Sequence, residues 1–98
     1  MEWDATKITG FAWDAGNQTK SLDKHAVSCA EAEQVFLNAP LKVLADPAHS
    51  KIEPRFHAFG MSNARRHLTI AFTLRGSLIR VISARPMSRK EKEFYEKA

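Results

Sequence analysis

With 98 residues, 44% apolar and 27% charged, the chain suits one small globular domain and is not a disordered tail. No apolar run approaches the roughly 20 residues that span a bilayer. The acidic start Met1-Glu2-Trp3-Asp4 lacks a secretory core, and the single Cys29 excludes an internal disulfide, so a cytoplasmic protein is expected. The formal charge of +4 is unevenly divided: through Ser50 four lysines face seven acids, whereas from Lys51 eleven Lys and Arg face four Glu. All seven arginines lie at or after Arg55, and guanidinium forks in a basic half suit phosphate, which makes nucleic acid the first partner to consider.

Trp3-Asp4-Ala5 recurs as Trp13-Asp14-Ala15, too short a repeat for a duplicated domain; it reads as chance or as a lengthened N-terminal strand or turn. Asp14 is placed to cap a first helix through Lys24, weakened by Gly16. Ser28 and Glu31 spell a capping box with Val27 and Ala32 as its staple, opening a second helix. Ala32, Val35 and Phe36 share a face of that helix, which Pro40 stops near Asn38. Leu41 to Ala48 reads as a short extended piece ending in a turn, and His49 to Glu53 as loop. Arg55 to Gly60 is a predicted strand, and Gly60 to Asn63 turns the chain. From His67 to Leu74, Leu68, Ile70, Phe72 and Leu74 alternate with more polar positions, the mark of a strand with one buried face. Arg75-Gly76 marks a hairpin, Leu78 to Ala84 the return strand, and Ser88 with Glu91 a second capping box opening a last helix that carries Phe94 and Tyr95. The expected architecture is α+β, with two N-terminal helices, a small antiparallel sheet and a C-terminal helix, the helices lying on one side of the sheet.

The four histidines, His25, His49, His57 and His67, show no metal-ligand spacing with Cys29 or one another, so neither a metal nor another cofactor is expected. Cys29 lies near a helix start but reads as a packed small residue rather than a nucleophile. The glycines are not clustered as a phosphate loop requires. What survives is an arginine constellation: Arg55, Arg80 and Arg85 fall on or at the ends of two strands of one sheet. His57 points to the side of Arg55, and Thr69 and Thr73 are placed to line the same open face. The competing reading is a solvated basic sheet whose arginines pair with Glu31, Glu33 or Glu53. Arg65-Arg66 and Arg89-Lys90 read as electrostatic footprint.

Several separated elements then align. Phe11-Ala12-Trp13-Asp14, Leu22, Lys24-His25, Val27-Ser28, Glu31-Ala32, Phe36, Arg55-Phe56, Gly60-Met61-Ser62, Arg80, Ile82-Ser83-Ala84-Arg85, Arg89 and Tyr95 together resemble the BrnT toxins of bacterial toxin–antitoxin systems, small ribonucleases of RelE/ParE-like fold. The likeness runs from Phe11 to the C terminus, leaving residues 1–10 as an extension of a single toxin domain. Asn17 stands where the family usually has Lys, Ser21 where it often has Asn, and Ala26 where Gly is common; the first two are expected on the N-terminal helix, where loss of a lysine would weaken RNA contact.

The resemblance implies a metal-independent endoribonuclease in which a ribose 2′-hydroxyl attacks the adjacent phosphorus and the 5′-oxygen leaves. It also implies a cognate BrnA-like antitoxin that inhibits the enzyme in a complex. Such chemistry needs a base, an acid and cations for the growing phosphoryl charge. Arg55, Arg80 and Arg85 are the candidate clamp, and Tyr95 a candidate hydrogen-bond donor. His57 and His25 compete as acid or base, histidine's free pKa being about 6.5. Lys24, Arg65, Arg66, Arg89 and Lys90 are expected to contact RNA. The rival is a non-catalytic basic module that docks an acidic protein or nucleic acid, since fold alone does not set activity.

Overall fold

The structure, a computed structural model, describes residues 3–97. After a 3₁₀ turn at Ala5–Lys7 come strand β1 (Gly10–Phe11), helices α1 (Lys20–His25) and α2 (Cys29–Leu37), strand β2 (Lys42–Ala45) and a second 3₁₀ turn at Pro47–His49. Strands β3 (Arg55–Met61), β4 (His67–Arg75) and β5 (Leu78–Pro86) and helix α3 (Arg89–Glu96) complete the α+β fold. One five-stranded sheet has the order β1-β5-β4-β3-β2, antiparallel except where β1 runs parallel to β5.

Period-two alternation on β4 sends Leu68, Ile70 and Phe72 into the core, where they meet Phe56 and Ala58 of β3 and Ile79, Val81 and Ala84 of β5. Helix α2 covers that face with Ala32, Val35 and Phe36; the Phe36 and Phe72 rings meet edge-to-face at 5.1 Å. Trp3, outside the region of family likeness, packs its ring 5.3 Å from that of Phe72, so the chain before Phe11 contributes to the core. Burying aromatic rings of this size dominates the energetics of so small a core.

The helices do not all lie on one side of the sheet. Phe59 points away from the core face, and its ring meets Phe94 of α3 at 5.4 Å, while Tyr95 packs against His67. Helix α3 therefore covers one end of the opposite face. Its apolar residues Phe94 and Tyr95 needed a partner that the filled core face had no room for. Lys42 donates from Nζ to the carbonyls of Phe94 and Lys97, which places a cation at the negative end of the helix.

Two further expectations change. Helix α1 starts at Lys20 rather than near Asp14, because residues 15–19 form turns. Asn17 is accordingly off the helix and buried, its Nδ2 donating to the carbonyls of Val81 at 2.9 Å and Ala12 at 3.1 Å. Ser21 Oγ accepts from Ala84 N at 2.7 Å. Where β1 ends, these two side chains satisfy the edge of β5 that would otherwise lie unpaired. Asn17 and Ser21, two of the three residues that depart from the family pattern, thus close the sheet edge.

Ala26 ends α1 in the left-handed region with φ 54°. Glycine adopts that conformation without the Cβ clash, so Ala26 carries backbone strain that glycine would not. Ala26→Gly should raise unfolding stability by about 0.5–1 kcal/mol, the strain relieved being partly offset by the freer unfolded chain; urea denaturation checks this. Gly60 has the opposite constraint: a Cβ there would sit 2.9 Å from Val35 Cγ1, on a stiff β-branched side chain. Gly60→Ala should cost about 1–3 kcal/mol in the same measurement through overpacking of α2 on β3.

Candidate active site

Arg80 and Arg85 are five residues apart, so an unbroken strand would point them to opposite faces. The β4–β5 register shifts between them: Ala71 pairs with Ser83 but Phe72 with Val81, leaving Ile82 as the extra residue of a bulge. Core residues Ile79 and Val81 precede it and Ala84 follows, so Arg80, Ser83 and Arg85 share the outer face. Across the sheet this gives three rows: Arg55, Thr73 and Arg80; then His57, Ala71 and Ser83; then Phe59, Thr69 and Arg85. Helix α3 reaches the third row; in the first two every residue except Thr73 is partly exposed. With neighbouring strands about 4.8 Å apart, the Arg55 and Arg80 backbones lie about 10 Å from each other.

The arginines differ sharply in what they touch. Arg80 makes two hydrogen bonds to Asp14, at 2.7 and 3.2 Å, which join two separate motifs of the family likeness. Hydrogen bonding to Arg80, above all, holds the Asp14 carboxyl below its usual range. Arg85 forms a bidentate pair with Glu91 at 2.7 and 2.8 Å. Arg66 donates to Glu31 at 2.6 Å and to the carbonyls of His25 and Ala26, so it fastens the end of α1 to α2. Arg75 pairs with Glu53. The internal pairing expected of a solvated basic sheet is therefore present, although Glu33 takes Trp13 Nε1 instead of an arginine.

Arg55 stands apart. Its Nε is the one buried side-chain N or O atom among the described residues that lacks a hydrogen-bond partner. It borders a cleft of about 270 Å³ whose lining includes His49 and Lys51. The chain between β2 and β3 is knitted shut there. Asp46 N donates to Arg55 O at 2.8 Å, and Ser50 Oγ donates to Asp46 O while accepting from Arg55 N. Asp46 Oδ2 lies 2.8 Å from His49 Nδ1 and 3.7 Å from His57 Nε2. Burial alone would raise the Asp46 carboxyl, but the hydrogen bond from His49 and the charges of His49 and His57 outweigh it, leaving the group below its usual range. Sequence reasoning weighed His49 only as a metal ligand and Asp46 only as part of a turn; their tie to His57 comes from the β2–β3 connection.

The other candidates lie elsewhere. Lys24 and His25 end α1, exposed, near the β3–β4 turn. That turn is on the order of 20 Å along β4 from the first row, at about 3.3 Å per residue. Tyr95 is buried, with its hydroxyl donating to Pro40 O at 2.6 Å. Arg65, Arg89 and Lys90 are exposed. Thr69 and Thr73 are on the outer face as expected but are not open. Thr69 donates to Glu91 and Thr73 to Pro54 O, and both are buried. Burial and the nearby Glu33 charge push the Cys29 thiol up, the reverse of what a nucleophile needs.

Glu91 gathers Arg85, Thr69 and Ser88 N, completing the capping box of α3. Hydrogen bonds from Arg85, followed by the backbone of Ser88, carry its pKa from 4.5 down to about 2 despite partial burial. A carboxylate depressed in the folded state stabilises the fold above its unfolded pKa, and that stability is lost as pH falls toward the folded value. Stability should therefore drop between about pH 4.5 and 2, by about 1–2 kcal/mol after allowing for solvent screening. Glu91→Gln should remove that part of the pH dependence in acid-titrated urea melts.

Two comparisons bear on identity. No curated protein matches the chain. Residues 13–91 match the protein family described as "Ribonuclease toxin, BrnT, of type II toxin-antitoxin system". That span runs from Trp13 on the N-terminal segment through the five-stranded sheet's three long strands to Glu91 on α3. The chain therefore belongs to the BrnT family of ribonuclease toxins from type II toxin–antitoxin systems.

Proposed function

We propose that this toxin is a metal-independent endoribonuclease acting in the cytoplasm on RNA bound across the first two rows of the outer sheet face. The observation that carries this reading is the Arg55 side chain, unpartnered by protein at a buried Nε and beside His57 and Arg80 on one face. A guanidinium with no acid partner among the described residues can offer its terminal nitrogens to the phosphoryl oxygens of a scissile linkage. Arg80, held by Asp14, adds positive potential next to it. With arginines supplying the charge that grows in the transition state, and histidine the proton transfers, the chemistry requires no bound cation. Arg85, locked to Glu91, supports α3 and joins the clamp only through its charge. The cognate antitoxin, a BrnA-like partner, inhibits by covering this basic face, with complementary charge steering their encounter.

The purified toxin should cleave RNA in excess EDTA. Arg55→Ala should slow cleavage about 10²–10³-fold, the usual loss for one transition-state donor of about 2.7–4 kcal/mol, while leaving the melting temperature unchanged because no protein hydrogen bond is lost. Cleavage that stops in EDTA and returns with magnesium or zinc would overturn metal independence. RNA binding without cleavage would favour a non-catalytic docking module.

A further inference from the structure

The proposed ribonuclease reading leaves the acid and the base unassigned, and the loop between β2 and β3 supplies a specific pair. An ionised carboxylate only accepts, so at 2.8 Å His49 must donate to Asp46 from Nδ1–H. Nε2 of that exposed ring then faces away from Asp46, toward solvent. His57 directs Nε2 toward the same carboxylate oxygen at 3.7 Å, too long for a hydrogen bond, with Nδ1 on the side of the ring away from Asp46. Two rings that share one carboxylate oxygen are close enough to flank a single phosphodiester. Arg55 borders the same cleft as His49 and shares the outer face with His57, two residues along β3. The bonds from Asp46 N to Arg55 O, and through Ser50 Oγ, hold histidine and arginine in one closed loop before substrate arrives.

We propose that His49 and His57 are the base and the acid of RNA cleavage, and that Asp46 is the positioning residue that divides the two roles between them. His49 Nε2 removes the 2′-hydroxyl proton as the 2′-oxygen forms its bond to phosphorus. The bond from phosphorus to the 5′-oxygen breaks, and His57 Nδ1–H protonates that leaving oxygen. The products are a 2′,3′-cyclic phosphate and a 5′-hydroxyl, with one proton taken up and one released. Arg55 holds the non-bridging oxygens throughout.

The test uses an RNA oligonucleotide carrying a linkage that the full-length toxin cuts, made with oxygen or with sulfur at the bridging 5′ position. Sulfur leaves without protonation, so it dispenses with the acid but not with the base. On the oxygen linkage, His49→Gln and His57→Gln should each lose at least 10²-fold, the scale of general acid–base catalysis. On the sulfur linkage, His57→Gln should return to within about threefold of the unmodified toxin while His49→Gln stays slow. Asp46→Asn should lose about tenfold on the oxygen linkage and recover in part on sulfur. Melting temperatures report folding, and the exposed His49 carries the test should His57→Gln fail to fold. A toxin that cleaves normally with His49→Gln on both linkages overturns the assignment while leaving the ribonuclease reading intact. Equal responses of the two histidine variants to sulfur do the same. If the unmodified toxin cuts no RNA, the ribonuclease reading falls and this assignment with it.

Discussion

The extra residue in β5 decides which side chains share a surface. Strand geometry assigns alternate residues to opposite faces, and an odd spacing such as that between Arg80 and Arg85 separates them unless one position is taken out of register. Ile82 is that position. Without it, either Arg80 or Arg85 would enter the face occupied by Phe72 and Ile70, where a guanidinium would need a buried partner. With it, Asp14 can meet Arg80 from the N-terminal segment and Glu91 can meet Arg85 from α3, both on the same side of the sheet. The placing of α3 opposite α2 follows, since Glu91 and Thr69 tie that helix to the outer face.

Side chains take over where backbone pairing ends. β1 is two residues long and covers only the start of β5. Asn17 and Ser21 then complete the edge, one donating and one accepting, in the order that the Val81 carbonyl and Ala84 amide, unpaired by any strand on that side, require. The same economy appears at Arg66, which serves as C-terminal partner for α1 and as the counter-charge for Glu31.

Local signals in the sequence carried most of the fold. The alternation of β4 and the Ser88–Glu91 capping box could be read directly because each depends on residues within one element. The Ser28–Glu31 box was legible only in part: Ser28 does cap α2, but Glu31 turns to Arg66, 35 positions away. The length of α1 was overestimated because Asp14 has the chemistry of a cap yet spends it on Gly16 N and Arg80. Arg80 and Arg85 could be assigned to one strand but not to one face, because the bulge that brings them together leaves no mark in side-chain chemistry: Ile82 is as apolar as its core neighbours. His49 was weighed only as a metal ligand and Asp46 only as part of a turn, because their meaning rests on the register that brings His57 to them.

The pairing of arginines also changes how the molecule is felt by a polyanion. Four of the seven guanidiniums are matched to Asp14, Glu31, Glu53 and Glu91. The basic half of the chain is thus much closer to neutral at short range than its composition implies. Each phosphate neutralised by a free cation releases condensed counterions, and each internally satisfied arginine contributes little to that release. On the proposed reading RNA is held by a few well-aimed charges rather than by a broad electrostatic field, so its affinity varies with ionic strength less steeply than a count of Lys and Arg would suggest.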